Sequence, residues 1–224
     1  MSIILNIDTS IETASVSIAK DGAIIASVKN AIQKEHAGFL HIAIRDLLLQ
    51  SSLELKQMDA IAVTKGPGSY TGLRVGMASA KGLCYALNKP FITIGTLNAL
   101  TVAAINKTKE DTPGFDLFCP MIDARRLEVY TAIFDKDMNE IIAPCAMVLN
   151  NNSFEDLLKS NNILFVGSGA KKWSNLIESA KASFLNEIDA SNAISNLSYT
   201  KFKHKDFTDL SYSEPLYVKD FFST

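Results

Sequence analysis

Apolar positions fall first into short runs that end in a carboxylate. Ile3-Ile4-Leu5-Asn6-Ile7-Asp8 is one such run, and alternation returns in Ala14-Ser15-Val16-Ser17-Ile18-Ala19. Both patterns predict strands. Asp21-Gly22 is a hairpin turn signal, and a third strand follows in Ala23-Ile24-Ile25-Ala26-Ser27-Val28. The period then lengthens: Leu40, Ile44, Leu47 and Leu48 share one stripe and predict a helix from Gly38 to Ser51. A buried-type strand at Ala60-Ile61-Ala62-Val63 precedes a helix from Thr71 to Leu87, which stops before Asn88-Lys89-Pro90. A strand at Phe91-Ile92-Thr93-Ile94 leads to a further helix near 97–106.

The polar stretch Lys107 to Gly114, with Pro113-Gly114, reads as a linker. After it the order begins again. Leu117 to Asp123 mirrors the first strand and again ends in Ile-Asp, and Val129 to Phe134 mirrors the second. Asp135 to Asn139 turns the chain into a third strand from Glu140, Ser153 opens a short helix, and Ile163-Leu164-Phe165-Val166 runs into Gly167-Ser168-Gly169. Helices near 170–180 and 190–198 complete the set. The pattern predicts a duplicated α/β fold, each copy a mixed sheet with a hairpin meander, parallel strands and helices on its faces. The predicted domains are 1–106 and 107–224, with the last ~15 residues packing back onto the first. Two such domains resemble the actin and sugar-kinase group: tandem ribonuclease-H-like (actin-like ATPase) domains with mixed central sheets.

Chemistry concentrates at Lys65-Gly66-Pro67-Gly68-Ser69-Tyr70-Thr71-Gly72-Leu73-Arg74-Val75-Gly76, between a strand and a helix. Glycines permit tight turns and close approach of a ligand or another backbone. Ser69 and Thr71 can cap the helix start, where unpaired N–H groups favour an anion. The candidate anion or nucleotide site is therefore Gly66, Gly68, Ser69, Thr71 and Gly72, joined by the strand-end acid Asp8. Asp123 is the equivalent acid of the second copy. Arg74 in the first helical turn opposes the helix dipole, which points to an acidic partner in this chain or another.

Composition narrows the classes. With 47% hydrophobic and 21% charged residues, the chain is globular rather than disordered. A formal net charge of -2 argues against an autonomous nucleic-acid or membrane binder, and Lys201 to Lys205 reads as a solvated loop. Cys84, Cys119 and Cys145 fit neither a disulfide framework nor a zinc pattern, so buried thiols in a reducing, cytoplasmic setting are expected. The N-terminus has no basic region ahead of its apolar run, and neither a signal peptide nor a membrane span is expected. His36 and His41, roughly 140° apart on a helix, are poorly placed to share an ion.

The segment Gly66 to Gly76, followed by Ala80-Lys81-Gly82-Leu83 and Lys89-Pro90, resembles the TsaB (YeaZ) family. Ile7-Asp8-Thr9-Ser10, Lys34-Glu35-His36, Ile122-Asp123-Ala124-Arg125 with Glu128-Val129-Tyr130, and Pro215 to Asp220 extend the likeness. The resemblance is densest over 1–135 and thin over 145–210. It implies a non-catalytic scaffold subunit required for threonylcarbamoyl transfer to adenosine 37 of ANN-decoding tRNAs. The implied partners are the catalytic TsaD subunit, which carries the metal, and the TsaE ATPase. A homodimer through the same helices is the other implied association, with tRNA met only through the complex. No cofactor is implied, although ATP or ADP with magnesium at a subunit or domain junction stays open.

TsaD-type chains place two histidines after the strand that follows the glycine-loop helix. Here that segment is Gly95-Thr96-Leu97-Asn98-Ala99-Leu100. The alternatives are an independent actin-like kinase or ATPase and, last, a metallopeptidase. If binding is the product, the two helices that the family uses for contact supply the surface. They offer Phe39, Leu40, Ile44, Leu47 and Leu48 on the first, and Arg74, Met77, Ala78 and Lys81 on the second, whose small residues allow close helix approach.

Overall fold

The computed structural model describes residues 1–31, 36–111 and 114–219. Lys34 and Glu35, Pro113 of the predicted linker and Asp220 of the closing segment lie outside these residues. The fold is mixed α/β, with two five-stranded sheets.

In the first sheet, β1 (Ile3–Asp8), β2 (Ala14–Lys20) and β3 (Ala23–Asn30) form an antiparallel meander. β4 (Ala60–Gly66) and β5 (Phe91–Gly95) add parallel to β1, giving the order β3-β2-β1-β4-β5. Asp21 and Gly22 both have positive φ, as the predicted hairpin turn requires, and the Asp21 carboxylate accepts from the Ser2 N–H. Two helices bury one stripe each: α1 (His36–Ser51) packs on β3 and β2, and α2 (Tyr70–Leu87) on β4, with β1 and β5. The core there includes Leu5, Ile7, Val16, Leu40, Ile44, Leu47, Val63, Met77 and Cys84.

The second sheet repeats the order. It runs β8-β7-β6-β9-β10, with β6 (Leu117–Asp123), β7 (Glu128–Asp135) and β8 (Glu140–Val148) as the meander. β9 (Ile163–Val166) and β10 (Ala182–Leu185) lie parallel to β6. Two short helices, α4 (Glu155–Ser160) and α5 (Ala170–Ser174), cover one face, where Trp173 packs against Phe165 with ring centroids 4.5 Å apart. The fifth strand, β10, is only half-buried, and its sequence carries no pattern that names it.

The last helix of each predicted copy serves the other. By contacts, Met1–Thr96 and Ser191–Leu216 form one compact unit, and Leu97–Ala190 with the described residues from Tyr217 form the second. The predicted boundary at 106/107 falls inside α3 (Thr96–Asp111). Ala104 and Ile105 of α3 pack on Phe118, Leu164 and Val166 of the second sheet. Conversely α6 (Ser191–Lys203), expected to complete the second copy, lies on β5, β1 and β3 of the first. A buried polar clasp holds it there: Ser198 Oγ donates to Asn6 Oδ1 at 2.6 Å, and Asn6 Nδ2 donates to Ser195 Oγ at 3.3 Å. Two further expectations are corrected. Lys107 to Asp111 continue α3 rather than forming a linker, and Lys201 to Lys203 form the last turn of α6, where cations favour the negative end of the helix dipole.

Candidate functional site

The glycine segment joins β4 to α2. Ser69 is the helix N-cap, and its Oγ accepts from the Gly72 N–H at 3.3 Å. Thr71 stands exposed inside the first turn and does not cap. At the other end Asn88 adopts the left-handed conformation, consistent with the stop signal read in the sequence.

The space that the glycines open is filled by the chain itself. A Cβ on Gly68 would meet the Ser10 carbonyl oxygen, one on Gly72 the Thr9 carbonyl oxygen, and one on Gly76 the Thr9 hydroxyl. Hydrogen bonds complete the seam. The Ser69 N–H donates to the Ser10 carbonyl at 2.7 Å, and Thr9 Oγ1 donates to the Gly72 carbonyl at 2.7 Å. Two of the amides expected to cradle an anion, those of Ser69 and Gly72, therefore have partners inside the chain. Gly66, at φ +114°, lies against the Leu216 carbonyl oxygen, while the Leu216 N–H donates to the Lys65 carbonyl at 2.7 Å.

Asp8 is 6% exposed. Its Oδ1 accepts from the Ser10 N–H, Ser10 Oγ and Thr64 Oγ1 at 3.0, 2.6 and 2.8 Å. Asp8 thus shapes the Thr9–Ser10 turn that fills the glycine loop. In the second unit Asp123 Oδ1 takes the Lys172 ammonium at 2.7 Å and the Arg125 N–H at 2.6 Å. The Gly167 turn packs on the Met121 carbonyl oxygen.

The predicted partner residues separate into two groups. Leu40, Ile44, Leu47 and Met77 are at most 4% exposed and belong to the core of the first unit, so their side chains are not surface groups. Phe39 and Leu48 are half-buried, while Arg74 and Ala78 are exposed. Arg74 lies over the Tyr70 ring, 4.1 Å from its centroid. Lys81 donates to the Ser213 carbonyl at 3.0 Å and to that of Ser211 at 3.4 Å, and so ties the segment after α6 to α2. Ile42, Leu49, Tyr70 and Tyr85 are the large exposed apolar side chains of these helices, and none of them is among the predicted partner residues above. Phase separates the first two from the core: Leu40, Ile44 and Leu47 define the buried stripe, and Ile42 and Leu49 fall off it. On α2 the exposed line is Arg74, Ala78, Gly82 and Ala86, and a Cβ on Gly82 would meet nothing within 4 Å.

In place of a histidine pair, the segment after β5 carries Leu97, Ala99 and Leu100, all buried. Among the described residues no three His, Cys, Asp or Glu side chains gather as a metal-binding group, and no helix is long and apolar enough to cross a membrane. His41 Nε2 lies 3.4 Å from Ser79 Oγ, between α1 and α2. Burial pushes the thiols of Cys84 and Cys119 up to about 12.

The sequence model of the family described as tRNA N6-adenosine threonylcarbamoyltransferase (TsaD) matches residues 23–210. The tRNA threonylcarbamoyladenosine biosynthesis protein TsaB of Bacillus subtilis is 32% identical over 178 residues, 78% of this chain and 75% of that protein. TsaB of Escherichia coli is 32% identical over 177 residues, 77% and 74% of the two chains. A crystal structure from Pseudomonas aeruginosa, described as an uncharacterized protein with similarity to peptidase YEAZ, superposes with a TM-score of 0.81. It is 25% identical and covers 98% of this chain and 100% of that one.

Proposed function

Because the chain belongs to the TsaB family of tRNA threonylcarbamoyladenosine biosynthesis proteins, we propose that it is the non-catalytic subunit that supports a TsaD-type transferase. Its role is to make threonylcarbamoyl transfer to adenosine 37 of ANN-decoding tRNAs possible. The observation that carries the non-catalytic reading is the filled glycine loop. Gly68, Gly72 and Gly76 accommodate the chain's own Thr9–Ser10 turn where a phosphate-binding relative would need open space. The segment after β5 adds to it, since buried leucines stand where the catalytic relative's histidines are expected.

The two units are read as copies of one actin-like, ribonuclease-H-like domain, a reading supported by their identical strand order. The partner surface is the outer line of α2 together with Ile42 and Leu49 of α1. Gly82 supports this choice. A glycine on the exposed line of a helix costs about 1 kcal/mol relative to alanine, and no neighbour among the described residues requires it. A TsaD-type chain, or a second copy of this one, would take the close approach that Ala78, Gly82 and Ala86 allow. A TsaE-type ATPase and a cytoplasmic location belong to the same proposal. Native mass spectrometry of the chain co-expressed with its TsaD-type partner tests it, with a stable complex expected. Free subunits only, or unchanged threonylcarbamoyladenosine in tRNA after depletion of this chain, would overturn it.

A further inference from the structure

The β6–β7 hairpin of the second unit has an unusual tip. Arg125 and Arg126 are adjacent non-glycine residues, both in the left-handed region, with φ of 72° and 48°. That conformation costs an ordinary residue roughly 1–2 kcal/mol, and glycine or asparagine takes it more readily. The Arg125 N–H is held by the Asp123 carboxylate at 2.6 Å, and the Arg125 carbonyl by the Glu128 N–H at 3.0 Å. Both guanidinium-bearing residues are exposed, and neither has a side-chain hydrogen bond or ion pair among the described residues.

The two acids that flank the tip are already committed. Lys172 pairs with Asp123 at 2.7 Å, and Lys219 reaches both Glu128 oxygens at 2.9 and 2.7 Å. Four cations thus face two carboxylates, in a chain whose overall charge is -2, and the surplus resides on the two arginines. Paired guanidiniums match phosphate oxygens in charge and in fork geometry.

We propose that the Arg125–Arg126 tip is a phosphodiester-binding site for an RNA backbone. The proposal rests on the tRNA-modification reading and adds a direct contact that this reading does not require. Phosphate contact of this kind positions RNA without reading its bases.

The test uses a fluorescein-labelled tRNA transcript and the full chain, alone and with its TsaD-type partner, by anisotropy from 50 to 200 mM KCl. The double variant Arg125→Asn/Arg126→Gly removes both charges and suits the backbone, so it is expected to stay folded. Losing two phosphate contacts should weaken binding about tenfold and flatten the log–log salt slope by about 1.4 to 1.8. Arg125→Lys/Arg126→Lys, which keeps the charge and the strain, should retain most of the affinity. Unchanged affinity and slope in the Asn/Gly variant would overturn the proposal. So would unchanged affinity with loss of the TsaD-type partner, which would mark the tip as a protein contact. Threonylcarbamoyladenosine is measured in parallel in cells lacking the chain. If the nucleoside disappears while the variant binds tRNA normally, the phosphate site alone fails; if it persists, the underlying functional reading fails.

Discussion

Replacing Gly72 by alanine would place a methyl group against the Thr9 carbonyl oxygen, a backbone atom that can yield only if the whole turn moves. Overpacking of this kind costs about 1–3 kcal/mol. The Thr9–Gly72 hydrogen bond and the Ser69 cap share the same few atoms, and losing both adds about 2 kcal/mol. Alanine's better helix propensity returns about 1 kcal/mol, leaving a net destabilisation of about 3 kcal/mol. Gly82→Ala, ten residues along the same helix, meets open space and should instead stabilise by about 1 kcal/mol. For a chain of this size the shifts are about 6–12 °C downward in Tm for Gly72→Ala and about 2–4 °C upward for Gly82→Ala. Far-UV circular dichroism is the suitable probe. The only tryptophan, Trp173, lies in the second unit and reports on the other core. If Gly72→Ala melts with Gly82→Ala or above it, the glycine loop is not filled by the Thr9–Ser10 turn.

Asn6→Ala should cost about 2–3 kcal/mol by leaving the Ser195 and Ser198 hydroxyls without their buried partner, and hydrogen exchange in α6 should accelerate before that in β1. Cys84 and Cys119 should resist thiol reagents at pH 8 in the folded protein and react on unfolding. Their folded values near 12 lie above the ordinary 9.0, so between those limits the unfolded chain binds fewer protons. Stability should therefore fall as pH rises through that window, by at most about 1.4 kcal/mol per pH unit for each thiol, which urea titrations above pH 9 would measure. Gly82→Trp should leave the fold intact yet abolish association with the TsaD-type partner in size-exclusion chromatography; an undiminished complex would move the partner surface elsewhere.

Local signals carried the elements well. The Ile-Asp strand ends, the Asp21-Gly22 turn, and the limits of α2 between Ser69 and Asn88 all follow from rules that act over a few residues. The allegiance of α6 does not. Its apolar residues Ala193 and Ile194 would suit either sheet, and the choice is made by Asn6 and by the Gly22 turn packing on Tyr199, far away in sequence. The glycine segment was legible as a place of close approach, but not what approaches it, because backbone and phosphate ask the same thing of a glycine. The α1 residues were legible as apolar. Assigning Leu40, Ile44 and Leu47 to a partner failed because the strongest stripe of a helix is claimed first by its own sheet.

The exchange of helices between the two units has a consequence for biogenesis. On the ribosome the first sheet is complete in sequence once β5 has emerged, yet the face that α6 covers stays bare until residues 191–203 are made. At elongation rates of about 5–20 residues per second that interval is about 5–20 s. During it Asn6 and the apolar β1 strand are open to other nascent chains and to chaperones. The protein's yield in cells should therefore depend on synthesis of residues 191–203 as much as on the stability of its finished fold.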